Sequence, residues 1–145
     1  MNPPFRVCAR LATALLLCVS ASGCTIQESC DLYNNFGSDV TIVRSPAGKE
    51  EPPVHLKAGA SVLLRDWLFG EYRLVIDGKV FRYSPNSPDI SFIVDRGFGP
   101  WAKRVFRAQI DSSARIFVLE PTQSIPATEF VAQPSGFPLM PVISQ

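Results

Sequence analysis

The chain offers few residues that could do chemistry, and their types and spacing decide what that chemistry would be. Its one histidine, His55, is the only base of the kind that activates a hydrolytic nucleophile. It stands in Val54-His55-Leu56-Lys57, where alternation puts Val54 and Leu56 on one face and His55 and Lys57 on the other. That is the pattern of a surface histidine. No Gly-x-Ser-x-Gly elbow and no Gly-x-x-x-x-Gly-Lys phosphate loop occurs. Zinc requires three or four clustered ligands, which His55 and Cys30 cannot supply. The one carboxylate pair beside aromatic residues is Asp66 and Glu71, flanking Trp67 and Phe69. Glycoside hydrolysis needs two carboxyls about 5–10 Å apart across a cleft, whereas acids between strands commonly serve the turn. The expectation is therefore no catalytic residue, no metal, no cofactor and no enzyme.

Binding is the chemistry left open. Arg65-Asp66-Trp67-Leu68-Phe69-Gly70-Glu71 sets two aromatics in a loop, and the segment from Arg96 to Arg104 holds Phe98 and Trp101 among glycines, a proline and basic residues. Aromatic faces at loop tips stack on sugars or on partner side chains. The competing reading has Trp67 and Trp101 plugging the ends of a core. Composition narrows the partner. Fourteen basic and 13 acidic residues leave a formal charge of +1, without the basic excess of a nucleic-acid binder. A hydrophobic content of 46% with only 19% charged residues excludes wholesale disorder.

Residues 1–23 carry the features of a signal peptide. Arg6 and Arg10 precede an apolar run from Leu11 to Val19, and small residues follow, ending at Cys24. The run is too short to span a bilayer core of about 30 Å, which takes roughly 20 residues, but suits a cleaved signal. Ser22-Gly23-Cys24 resembles the lipobox of bacterial lipoproteins, with Ala21 where that family usually has leucine. The resemblance implies cleavage before Cys24, lipidation of its sulfur, and anchoring in a membrane. Thr25 in place of aspartate after the cysteine fits the family's outer-membrane sorting, facing the periplasm. Each buried methylene of such an anchor contributes roughly 0.8 kcal/mol. Ala21-Ser22-Gly23 also suits ordinary signal peptidase, which would release a soluble secreted chain in which Cys24 and Cys30 could form a disulfide. Otherwise Cys30 remains as a buried small hydrophobe or an intermolecular pairing site. Without Arg6 and Arg10 the basic residues number 12 against 13 acidic, which steers no strongly charged partner.

The remainder divides into a tether (24–30), a patterned body (31–120) and a proline-rich tail (121–145). The body reads as all-β, with short runs rich in β-branched and aromatic residues between turn signals. The candidate strand segments are 32–35, 39–43, 54–57, 61–64, 72–76, 79–83, 90–94, 104–110 and 115–119. Asp77-Gly78 predicts a type I′ hairpin that pairs Tyr72 with Tyr83, Leu74 with Phe81 and Ile76 with Lys79, with the aromatic and aliphatic face inward. The same register sets Arg73 opposite Arg82, a repulsion that Asp66 or Glu71 would relieve. Roughly seven to eight strands and no helix predict a small antiparallel β-sandwich, with a barrel second. The tail's five prolines (Pro121, Pro126, Pro134, Pro138 and Pro141) exclude a central strand or a helix. An extended end, a Pro-x-x-Pro docking peptide at Pro138–Pro141, or Phe137, Leu139 and Met140 folding back onto the body are the three options. The overall expectation is an envelope lipoprotein with a structural or protein-interaction role, meeting a partner through the tail or the loops. The alternative is a secreted ligand-binding module using Trp67 and Trp101.

Overall fold

Asp77 and Gly78 both adopt positive φ, 50° and 76°, as a two-residue I′ turn requires. The flanking strands pair in the expected register, from Tyr72↔Tyr83 to Ile76↔Lys79. Tyr72, Leu74, Ile76, Phe81 and Tyr83 all point into the core. This hairpin is the centre of one of two sheets in the computed structural model, which describes residues 27–96 and 103–143.

The strands are β1 (Gln27–Asn34), β2 (Val40–Ser45), β3 (Val54–Leu56), β4 (Ser61–Leu64), β5 (Glu71–Ile76), β6 (Lys79–Tyr83), β7 (Ile93–Arg96), β8 (Lys103–Ile110), β9 (Ile116–Leu119) and β10 (Val142–Ile143). One five-stranded sheet runs β10-β6-β5-β2-β3. The other runs β4-β1-β8, and the far edge of β8 is shared by β7, along Lys103–Phe106, and β9, along Arg107–Ile110. The protein is thus all-β, and its core joins buried residues of both sheets, as in a β-sandwich. β1 and β8 pair in parallel over their whole length, the one parallel pair among the described residues.

Several boundaries differ from the sequence reading. Residues 27–30, placed in the tether, are the first half of β1, where Cys30 pairs with Leu64 on one side and Phe106 on the other. The strand expected from Ile90 begins at Ile93, because Phe92 N donates to Asp89 O and closes a single 3-10 turn over Ile90–Phe92. Arg73 and Arg82 do face each other. Glu71 lies 3.8 Å from Arg82, but Arg73 is paired with Glu50 and not with Asp66. His55 is exposed, its Nδ1 3.0 Å from Thr41 Oγ1.

The largest difference is the tail. Over residues 121–143 it is a strap that packs on the body. Residues 121–133 cover the outer face of β8 and β9. There the buried Gln109 donates to Ala127 O and accepts from Ala127 N, at 2.9 and 2.8 Å. Gln133 makes the equivalent pair of bonds with the backbone of Val118, and Phe130 stacks on Phe117 at 3.9 Å. The strap then turns inward. Phe137 meets Phe106 edge-on, Leu139 exchanges two backbone hydrogen bonds with Ile116, and β10 pairs with β6. Leu139 and β10 therefore tie the two sheets together along one seam of the sandwich. Phe137 and Leu139 fold back as the third option has it, but Met140 is exposed.

At the other end of β1, Asn34 is fully buried and bonds Ser38 O, Leu56 O and Phe36 N. A side chain with two donors and an acceptor is what three unpaired backbone groups at one junction require.

Candidate functional site

The end of the sandwich where β1 begins gathers most of the residues singled out above. β4 runs antiparallel to β1, so the chain leaving Leu64 arrives beside Gln27 and crosses to the second sheet there. Gln27 Nε2 donates to Asp66 Oδ1 (3.0 Å), and Trp67 N donates to Glu28 O (2.9 Å). These bonds turn the Trp67 side chain down between the sheets. It is 1% exposed, 4.7 Å from the Tyr72 ring and 5.7 Å from that of Phe106, and its Nε1 donates to Asn86 O (2.9 Å). Trp67 is a plug and not a contact surface, which corrects its assignment as a ligand or partner contact. A crossover between two apolar layers needs a large side chain to close the open end, and an indole with one satisfied donor fills that need.

The next two residues turn outward, Leu68 at 43% and Phe69 at 54% exposure. Of the predicted contact residues, Phe69 is at the surface, and Phe98 and Trp101 lie outside the described residues, as does Cys24. The loop's path is set by Gly70, at φ 101°, where a Cβ would lie 2.8 Å from backbone atoms of Pro46. Gly70→Ala should therefore displace the whole 66–70 loop and lower stability by about 1–3 kcal/mol, read as a shift in the urea midpoint. An unchanged midpoint would show that the crossing tolerates a methyl group.

Asp66 and Glu71, the carboxylate pair, are occupied by Gln27 and Arg82 respectively. Glu28 is buried, with Oε2 accepting from Ser87 Oγ and Oε1 lacking a partner. Among the described residues no cluster of three or more His, Cys, Asp or Glu could hold a metal ion.

Cys30 is a free thiol with 0% exposure. Burial, then the nearby carboxylates Asp31 and Glu28, push its pKa well up, so the thiolate is scarce as well as inaccessible. The expected result is that iodoacetamide leaves Cys30 unmodified in the folded chain and alkylates it in urea. Modification of the folded chain would contradict the burial.

The second feature lies between edge strands β3 and β4, opposite the seam that the strap ties. There no strand pairing joins the two sheets among the described residues, and a cavity of about 220 Å³ opens between Ile42, Arg44, Pro52, Val54, Leu63, Leu64 and Tyr72. Arg44 holds Glu51 with two bonds of 2.7 Å and donates through Nη1 to Arg65 O and Asp66 O. The pairing keeps the Glu51 carboxyl below its ordinary range and raises the Arg44 guanidinium. Tyr72 is 1% exposed and its hydroxyl meets no partner of hydrogen-bond geometry. Burial raises its pKa, and the Arg44 guanidinium across the register, through its donor N–H groups first and its charge second, opposes the rise. The cavity thus combines apolar walls (Val54, Leu63) with a buried phenol that keeps a proton to donate, an arrangement able to hold an apolar group ending in an acceptor. Sequence reasoning put Tyr72 in the core but had no signal for the gap beside it, which exists because β3 and β4 are both edges. No family model, no curated protein and no solved structure matches this chain.

Proposed function

We propose that the protein is a lipid-anchored domain of the bacterial cell envelope, attached through Cys24 to the outer membrane, facing the periplasm, with a structural or protein-interaction role. The observation that carries this reading is the position of the lipobox-like Ser22-Gly23-Cys24. Only Thr25 and Ile26 separate the cysteine from β1, so an acylated Cys24 would hold one defined end of the sandwich at the membrane. The open seam between β3 and β4 supplies the interaction face. Pro52-Pro53 and the three-residue length of β3 blunt one edge, while β4, among the described residues, keeps a free edge beside the cavity. An extended segment of a partner could pair there and seat one apolar side chain against Val54 and Leu63, as the strap does on the opposite side with Leu139.

The test is fractionation of the native host. The full chain is expected in the membrane fraction, resistant to high salt and released by detergent. Cys24→Ala should abolish incorporation of an alkyne-labelled fatty acid. A chain found in the soluble fraction without label supports the second reading, a secreted ligand-binding module. That reading keeps the seam cavity as its site in place of the buried Trp67.

A further inference from the structure

We infer that Leu68 and Phe69 are a second membrane contact, inserted into the interface of the same phospholipid surface that would hold the acyl chains, and that they fix the tilt of the domain on it. The inference rests on the proposed anchor at Cys24. Three residue steps separate Cys24 from Gln27, a reach of at most about 10 Å. Gln27 is tied to Asp66 through its side chain, and Glu28 to the Trp67 amide. The membrane would therefore lie within one short tether of the very loop that carries the exposed pair.

That loop is held to one shape. Phe69 N donates to Asp66 O, Trp67 locks it from below, and the Gly70–Pro46 crossing fixes its far side. Two adjacent large apolar side chains on a rigid loop give up little conformational freedom when they enter lipid. Charges around the loop are mixed and largely paired, with Glu51 held by Arg44, Asp66 by Gln27 and Glu71 lying beside Arg82, so the contact is apolar and does not depend on an anionic lipid. Apolar faces of interfacial helices settle about 5–10 Å into the headgroup and acyl boundary, and the same boundary would receive this pair.

The experiment uses the full chain, processed and acylated by a bacterial host, in vesicles of phosphatidylethanolamine and phosphatidylglycerol. Leu68→Cys and Phe69→Cys are each spin-labelled, with Lys79→Cys, an exposed residue at the far end of the β5–β6 hairpin, as reference. Cys30 is buried and escapes the label. Collision with oxygen relative to a water-soluble nickel complex is expected to be several-fold higher at 68 and 69 than at 79. Equal ratios at all three positions overturn the contact. Mass spectrometry of Cys24 on the same sample separates the two failures. Acylated Cys24 with water-exposed labels leaves the anchor standing and removes the contact, whereas an unmodified Cys24 removes both.

Discussion

Truncation after Glu120 is expected to unfold the domain. Residues 121–145 carry Ala127, Phe137 and Leu139 into buried positions, and they shield Phe117 and Leu119 on the outer face of the first sheet. Each large apolar side chain removed from such a site costs roughly 1.5–3 kcal/mol, before the newly bared face of β9 is counted. A domain of this size has about 5–15 kcal/mol in all, so loss of the strap consumes most or all of it. Circular dichroism and urea titration of the truncated chain should show no cooperative transition at room temperature. A milder variant isolates one part of the strap. Gln109→Ala leaves the N–H and C=O of Ala127 without partners in a buried site, at about 1–3 kcal/mol for each group, and should lower the urea midpoint clearly while the fold persists. A truncated chain that unfolds at the full-length midpoint would return residues 121–145 to the status of a loose tail.

Trp67→Ala should be the most damaging single substitution in the 66–70 loop, at about 3–5 kcal/mol. The loss combines the cavity left between the Tyr72 and Phe106 rings with an unpaired Asn86 carbonyl. Trp67→Phe keeps part of the packing and loses the hydrogen bond, so it should fall between. Fluorescence offers an independent check. In a Trp101→Phe background the emission of Trp67 should be blue-shifted and insensitive to acrylamide, and it should shift red on unfolding. Red-shifted, quenchable emission from the folded chain would restore Trp67 as a surface contact.

The elements that could be read from the sequence were those whose register is set locally. Asp77-Gly78 dictates the whole β5–β6 pairing because a two-residue turn leaves no slack. The run Ile116-Phe117-Val118-Leu119 also contained more than was drawn from it. A strand apolar at every position is buried on both faces, so something had to cover the second face, and the strap does. Prolines concealed this, since they exclude regular ladders without excluding packing. Pairing of β1 with β8 joins segments that no local signal connects, and the tether was drawn too long because Gln27, Glu28 and Ser29 look polar. Glu28 and Ser29 are nonetheless buried, held by their neighbours in β8 and by Ser87. Residue type alone allows Trp67 as plug or platform, and the crossover from β4 to β5 decides for the plug. The seam cavity depends on which strands are edges, a property of topology that residue types do not carry.

The measurement that bears most directly on the whole account is intact-mass and fragment spectrometry of the mature amino terminus from the native host. The expected species is a chain starting at Cys24, with a diacylglyceryl group on sulfur and, in a fully processed form, a third acyl chain on the amine. A chain that retains Met1, or one that starts at an unmodified Cys24, would contradict it.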